Sequence, residues 1–489
     1  MKSFEYRGLW WPAGGEPRKE TGILSYSDEE GIRLNVIGTF VVDDYGRPSL
    51  DDTIEMIYGV TVEGKLITLQ DCMPFRTNDP YPGIPTQEFR CELAYIGAYH
   101  LLSGKRDVKV TNWIRFSLNN LLGWLNITGL AHEYNTDEGS NIQGTSISFT
   151  LPDPIEIPLP NAAISVHLLA EAESSHDRST LRQYPVIQIT AENPLCLDDW
   201  LFQFVKPIQD LLTLATGHAN SITDLNVFVS KSMVNVEPDQ PYHEGRSFQV
   251  IFQPVFHDSS EVKFIHPEDK VFFYTDVKEQ VGDLFRRWLA LQNDPQKETL
   301  RTVCSLLLNT TYHRNKMFLE TQFLNIAQSA ELYHRTQFNE TLLSKKEFSE
   351  FREAVLKCVP DNCRDWFKEQ IRFSNEATLA QRLTRLFKLS EDVMSLLFAD
   401  GDLFVQKVKN TRNFFTHFSP DVKAKAATDE ELFILTQSLS FMMLRLLLME
   451  LGFSSEQCVK IFTNNRTFQY LQGRVKRIYK VVPNANTQV

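Results

Sequence analysis

The chain is poor in cysteine, and its cysteines do not form a disulfide framework. Its 489 residues contain seven, an odd number with no repeated spacing. Small secreted domains need dense, regularly spaced cysteines, so that class is excluded. The opening segment also has no apolar stretch of signal-peptide length, because Pro12 and the glycines at 14 and 15 interrupt it. We therefore expect a reduced, cytoplasmic protein.

Long hydrophobic runs are also missing. The most apolar segment, residues 432–451, has an uncharged run of only 13 residues, from Leu432 to Leu444. A helix needs about 20 predominantly apolar residues to cross a bilayer. We expect this segment to be a core helix and expect no membrane contact.

Motifs for metals and nucleotide cofactors are absent as well. The sequence has no Gly-Lys-Ser/Thr phosphate loop and no His-Glu-x-x-His pair, and Cys358 and Cys363 lack a second pair with zinc-ligand spacing. These absences argue against a motor and against a zinc site. We expect no metal and no cofactor.

Charge is present but unevenly distributed. The whole chain has 50 basic and 62 acidic residues, a net charge of −12. Residues 276–489 contain 30 basic and 25 acidic residues, or +5, which leaves 20 basic and 37 acidic, or −17, for residues 1–275. Two parts of opposite charge indicate separate domains with different partners.

Hydrophobic periodicity changes at the same place. Short β-rich runs with turn residues fill the first part, including a hairpin around Glu63 and Gly64, and one helix interrupts them near 198–217. After Tyr274 amphipathic helices follow without a convincing strand. They are predicted at 276–292, 297–308, 316–335, 345–357, 364–373, 379–387, 402–415, 429–451 and 455–462.

The sequence therefore predicts an α+β multidomain protein. A β-rich sandwich or barrel-like domain would span 1–275, connecting helices would span 276–310, and an all-α helical bundle would span 311–489.

The sharpest local feature is the segment RNFFTH at residues 412–417, which closes a predicted helix shortly before Pro420. Asn413 and His417 lie four positions apart, about 40° from each other on the helix. Histidine can act as acid or base at cellular pH, and a guanidinium such as that of Arg412 matches a phosphate bidentately. These groups suit metal-free attack on RNA, although an Arg and a His could also merely stabilise a helix C terminus.

The segment RNFFTH resembles the signature of the HEPN superfamily of helical ribonucleases, with Asn413 as its polar member. The helix LETQFLNIAQSAELYHR and the apolar helix after the motif follow the order of that family. The openings YRGLWWPAGG and GILSYSDEEGIRLNVIGTF resemble the β-rich amino-terminal domain of ApeA-like HEPN phage-defence proteins. This resemblance covers almost the whole chain.

The resemblance implies a metal-independent endoribonuclease of the abortive-infection type, working as a homodimer whose two signature helices form one site. It would cut RNA, with tRNA one candidate, by 2′-hydroxyl attack. His417 would be the acid or base, Arg412 the phosphate ligand and Asn413 the orienting residue. Some toxins of this kind have a tyrosine two positions after the histidine, where this chain has Ser419, so control by tyrosine modification is not expected.

Other residues could support such a site. Glu331, near the end of the predicted helix 316–335, could hold His417 or Arg412, or simply be solvated. Basic residues on the helical part could contact RNA phosphates or form ordinary solvated faces. The candidates for RNA contact are Arg382, Arg385, Lys388, Lys407 and Lys409.

Two hypotheses about function remain open on the sequence. In the first, the chain is a ribonuclease whose amino-terminal domain senses a phage-derived trigger or restrains cleavage; overexpression is then expected to be toxic, and Arg412→Ala to relieve the toxicity. In the second, the helical part only dimerises or binds a nucleotide or RNA without cutting, and the β domain senses a ligand. Loss of activity in His417→Ala would favour the first.

Overall fold

The structure is a computed structural model. It describes residues 1–14, 19–102, 112–137, 140–229, 231–235, 247–252, 265–338, 341–372, 374–418 and 420–479. The chain forms two compact units: Met1–Pro267 with Phe272–Arg286, and Glu268–Val271 with Arg287–Val489. The domain boundaries expected at residues 275 and 310 stay predictions.

Antiparallel strands make up most of the first unit. In chain order they are β1 (Phe4–Pro12), β2 (Glu20–Ser27), β3 (Gly31–Ile37), β4 (Ile54–Thr61), β5 (Leu66–Asn78), β6 (Thr86–Cys91), β7 (Leu93–Gly97), β8 (His100–Leu101), β9 (Trp113–Leu118), β10 (Leu130–Thr136), β11 (Ile142–Phe149), β12 (Ile155–Pro158), β13 (Ala162–Ser174), β14 (Ser179–Ala191), β15 (Ile222–Phe228), β16 (Val234–Asn235) and β17 (Ser247–Phe252).

Six of these strands close into a barrel. Each pairs with the next in the order β1-β2-β3-β6-β5-β4, and β4 returns to β1. Closure depends on the long strand β5, whose first half pairs with β7 and whose second half pairs with β6 across a register shift between Pro74 and Arg76. The interior is filled by buried side chains that include Trp10, Leu34 and Phe89.

The remaining large strands extend the sheet in the order β12-β13-β14-β9-β15-β17-β7, while β10 with β11 and β8 with β16 form separate two-stranded sheets. The expected helical insertion is present as Leu197–Trp200, a π-helical turn Leu201–Val205, and Lys206–Thr216. Pro207 explains the π turn, because it has no N–H for the helix ladder and its ring crowds the preceding carbonyls.

The described part of the second unit is helical. Numbered along the whole chain, the α-helices are α1 (Leu121–Leu125), α2 (Leu197–Trp200), α3 (Lys206–Thr216), α4 (Tyr274–Val277), α5 (Val281–Asn293), α6 (Glu298–Tyr312), α7 (Leu319–Phe338), α8 (Lys345–Cys358), α9 (Arg364–Gln370), α10 (Leu379–Leu389), α11 (Glu391–Met394), α12 (Gly401–His417), α13 (Pro420–Lys423), α14 (Asp429–Glu450), α15 (Ser455–Asn464) and α16 (Arg466–Tyr479).

The helix α14 is the core of the second unit. It contacts α6, α7, α10, α11, α12, α15 and α16. By length and composition alone it could cross a membrane, but 72% of its most apolar stretch is buried inside the structure. A helix that is apolar on most sides belongs in a packed interior, which is the place that the sequence analysis expects for residues 432–451.

The α+β architecture predicted from the sequence is confirmed. The hairpin at Glu63 and Gly64 is present, with Gly64 at φ 79° between β4 and β5. The helix α16 has no counterpart among the helices predicted from the sequence, although its buried side chains, Phe468, Leu471 and Val475, recur at helical spacing.

Candidate functional site

The helix α12 carries the RNFFTH segment at its carboxyl end. Its amino end is capped by Asp400, whose carboxylate accepts hydrogen bonds from the backbone N–H groups of Asp402 and Leu403 at 2.9 and 3.2 Å. Its buried face consists of Phe404, Val405, Val408 and Thr411. The helix ends at His417, as the motif and Pro420 predict.

The residue after the histidine turns the chain sharply. Phe418 has φ 51°, and its N–H donates to the carbonyl of Phe414 at 2.7 Å. A left-handed conformation costs a bulky residue about 1–2 kcal/mol, so surrounding contacts must hold it. The ring of Phe414 lies 5.7 Å from that of Phe418, and the ring of Phe415 lies 6.3 Å from the fully buried Phe323 of α7. Ser419 lies outside the described residues.

Arg412 is held by a carboxylate on the neighbouring helix. Its Nε donates to Oε1 of Glu331 at 3.0 Å, and its Nη2 donates to Oε2 at 3.4 Å. The two side chains are 29% and 21% exposed. Two parallel charge-assisted hydrogen bonds fix a guanidinium in position and direction. Glu331 therefore contacts Arg412, one of the two partners that the sequence analysis considers.

A cleft opens beside this ion pair. It has a volume of about 400 Å³ and is lined by α7 and α12. Its walls are formed by Leu324, Gln328, Glu331, Leu332, Arg335, Arg412 and Thr416. The cleft thus brings together two of the expected site residues, Arg412 and Glu331.

His417 and Asn413 are placed differently. Neither lines the cleft, and His417, next in the chain after the cleft residue Thr416, is exposed. Within the described ranges, neither side chain makes a hydrogen bond or ion pair. One copy of the helical unit thus presents a fixed cation in a cleft and an accessible imidazole at the end of the same helix.

The buried phenol of Tyr333, two residues after Glu331, has a structural role. It donates to Glu450 at 2.7 Å. Burial raises the pKa of Tyr333 above its usual range, and the hydrogen bond to the Glu450 carboxylate raises it further. The tyrosine therefore stays protonated and joins α7 to α14.

One predicted RNA contact is wrong. Arg382 is only 5% exposed; its Nε donates to the carbonyl of Ala377 at 2.8 Å and its Nη2 to Glu376 at 2.9 Å. A buried guanidinium with these partners cannot reach an RNA backbone. It belongs to a chain of ion pairs in which Glu376 also binds Arg335, at 3.1 Å.

The other four candidate cations lie nearer the surface. Lys407 pairs with Glu431 at 2.8 Å. The guanidinium of Arg385 lies 4.9 Å from the centre of the Phe338 ring. Lys388 is exposed and Lys409 is partly exposed, and neither forms an ion pair with any residue that the structure describes. RNA contact by these four residues stays a prediction.

The described residues contain no group of three or more His, Cys, Asp or Glu side chains that could hold a metal ion. The cleft was not predicted from the sequence, and neither were Leu324, Gln328 and Leu332. Leu324 and Leu332 lie four positions from Gln328, and Glu331 lies three positions from it, which could have indicated a common helix face.

Comparison with family models defines the class of protein. Residues 324–457, which include Glu331 and the RNFFTH segment, match the model described as Apea-like HEPN. HEPN domains are usually ribonucleases, and they commonly dimerise and bind RNA. Residues 5–288 match the model described as ApeA N-terminal domain 1, more than half of the chain. The chain therefore belongs to the ApeA-like HEPN proteins, a family of HEPN-type nucleases of phage defence. Nothing matches it among curated proteins or solved structures.

Proposed function

We propose that the chain is a metal-independent endoribonuclease that acts in abortive infection. The observation that carries the proposal is the end of α12, where Arg412 is fixed in a cleft by Glu331 and His417 is exposed one and a half turns later. Cleavage of an RNA phosphodiester needs these two functions, a cation that binds the phosphate and a group that transfers protons at neutral pH.

The reaction that fits these groups is transesterification. The 2′-oxygen of one nucleotide attacks the adjacent phosphorus, the new O–P bond closes a 2′,3′-cyclic phosphate, and the bond to the 5′-oxygen of the next nucleotide breaks. One imidazole takes the proton of the 2′-hydroxyl and another gives a proton to the leaving 5′-oxygen. Arg412 faces the phosphate, where negative charge grows in the transition state, and Asn413 orients it.

Two proton-transfer groups require two histidines. The exposed His417 of one chain and the same residue of a second copy would supply them if the two signature helices meet in a homodimer. The missing hydrogen-bond partner of His417 among the described residues supports this arrangement. Glu331 acts as a positioning residue, because it fixes the direction of the Arg412 guanidinium.

The first unit would control cleavage. Its separate fold and its charge of −17 over residues 1–275 suit a domain that senses a phage-derived trigger or restrains the nuclease until one arrives. We expect a cytoplasmic protein, with tRNA among the candidate substrates. Cells that carry the full chain should show more new RNA ends after phage infection than before it; equal cleavage before and after infection would contradict this control.

The direct test uses purified full-length protein and RNA in the presence of EDTA. Wild type should cut RNA, and His417→Ala should lose about 10²- to 10⁴-fold in rate. The matched control is His176→Ala, which changes an exposed histidine of the first unit and should cut like wild type. RNA binding without cleavage in every protein would instead support the non-catalytic alternative.

A further inference from the structure

The cleft between α7 and α12 contains a side chain that the proposed chemistry does not use. Gln328 lies on the same face of α7 as Glu331 and one turn from both Leu324 and Leu332. It is exposed and makes no hydrogen bond with any residue in the described ranges. A primary amide has two N–H donors and a carbonyl acceptor, so this group is available to a ligand in the cleft.

The shape and lining of the cleft suit one nucleotide. A volume of about 400 Å³ lies within the usual range for small-molecule sites. The side chains of Leu324 and Leu332 offer apolar surface on either side of the Gln328 amide, against which a base can pack. Amides of this kind read the donor and acceptor pattern of base edges.

The charge around the cleft favours an anion. Of the residues that line the cleft, Arg335 and Arg412 are cationic and Glu331 is acidic. Outside the lining, Glu376 pairs with both Arg335 and Arg382. These five groups together carry one net positive charge. An anionic ligand therefore fits the cleft.

We propose that the cleft binds the nucleotide next to the scissile phosphate and that Gln328 selects its base. The inference rests on the proposed ribonuclease function and deepens it by naming a specificity residue. The phosphate of this nucleotide lies at Arg412, while its base extends along α7 towards Leu324. Gln328 takes no part in proton transfer.

The test measures binding of RNA that stays intact. Full-length protein carrying His417→Ala is titrated into four fluorescent RNA decamers, each of a single base, and anisotropy gives the four Kd values. We expect one base to bind best. Adding Gln328→Leu should raise the Kd for that RNA on the order of tenfold. The Kd values of the other three should change less than about twofold, so that the preference disappears.

The matched control is Gln406→Leu, the same substitution at an exposed position of α12 outside the cleft. It should preserve the preference. Equal binding of all four RNAs before substitution, or equal weakening of all four by Gln328→Leu, would overturn the inference. So would a change of oligomeric mass caused by Gln328→Leu in light scattering, which would make the cleft a subunit contact. Failure of wild type to cleave RNA contradicts the ribonuclease proposal by a separate measurement.

Discussion

At the residue scale, function depends on how one arginine is held. Arg412 is half-buried, and its Nε and one terminal nitrogen are committed to Glu331. A flexible cation would have to be ordered by the substrate itself, whereas a fixed one meets the phosphate in place. Glu331 offsets part of the positive charge of Arg412, but it also fixes the direction of the guanidinium group.

Replacing that carboxylate tests its role. Glu331→Gln removes the charge partner and leaves a side chain of similar shape, so we expect kcat for RNA cleavage to fall about tenfold, with KM changed less than about twofold. Steady-state kinetics measures both. The control Glu353→Gln changes an exposed acid of α8 and should have no effect. Faster cleavage by Glu331→Gln would show that the carboxylate competes with the phosphate.

The cysteines offer a second test at this scale. Cys458 is fully buried, and burial raises the pKa of its thiol to about 11, so very little reactive thiolate forms at pH 8. Cys358 and Cys363 are exposed. Alkylation of the native protein, read by mass spectrometry, should label Cys358 and Cys363 and spare Cys458. Early labelling of Cys458 would contradict its position in the core.

The sequence was informative about single residues only where chemistry and spacing agree. The order of Arg412 and His417 and the end of their helix could be predicted from the motif. The burial of Arg382 could not, because its three-residue spacing with Arg385 and Lys388 looks like an exposed basic face. Contacts made by Glu376, six residues earlier, remove Arg382 from that face.

At the scale of elements, close packing of the barrel depends on a glycine. Gly59 of β4 is opposite Trp10 of β1, and a β-carbon there would lie 2.2 Å from the Trp10 ring. Gly59→Ala should therefore lower the free energy of unfolding by about 1–3 kcal/mol.

The same substitution in an open position should act in the opposite direction. A β-carbon at Gly473 in α16 meets nothing within 4 Å, so Gly473→Ala should stabilise by about 0.5–1 kcal/mol. Calorimetry of the full chain compares the two variants. Equal melting of Gly59→Ala and wild type would contradict the packing of Trp10.

An ion pair joins elements inside the helical unit. Arg445 of α14 is 4% exposed, and its Nη2 donates to Asp392 of α11 at 2.7 Å. Asp392→Ala leaves a buried guanidinium without its carboxylate and should cost about 3 kcal/mol of stability. Asp361→Ala breaks the exposed pair with Arg364 and should cost less than about 1 kcal/mol. Chemical denaturation measures the loss of stability in each variant. Equal losses would contradict the burial of the pair between Arg445 and Asp392.

The helices and strands themselves were largely predictable. A period-two pattern identifies the strands around Gly64, and the apolar composition of residues 432–451 identifies the core helix α14, which is buried on most sides. The closure of the barrel was not predictable, since it depends on the pairing of β5 with β6 across a register shift. The cleft was not predictable for a similar reason, because the helices that form it, α7 and α12, are more than 60 residues apart in the chain.

At the scale of the whole molecule, the two units divide the charge as they divide the fold. The net −12 alone would argue against an RNA partner, but the helical part carries the positive share and the signature segment. The family matches cover both units. A dimer is expected because each chain has one His417 and the proposed reaction needs two, and light scattering of the full protein should give twice the mass of one chain.

The central claim is that His417 cuts RNA in the cell. Sequencing of RNA ends from phage-infected cells that express wild type, His417→Ala or His176→Ala tests it and identifies the substrate. We predict new ends at defined positions, carrying 2′,3′-cyclic phosphates, with wild type and His176→Ala and none with His417→Ala. The same ends in His417→Ala, or no new ends with wild type, would contradict the account.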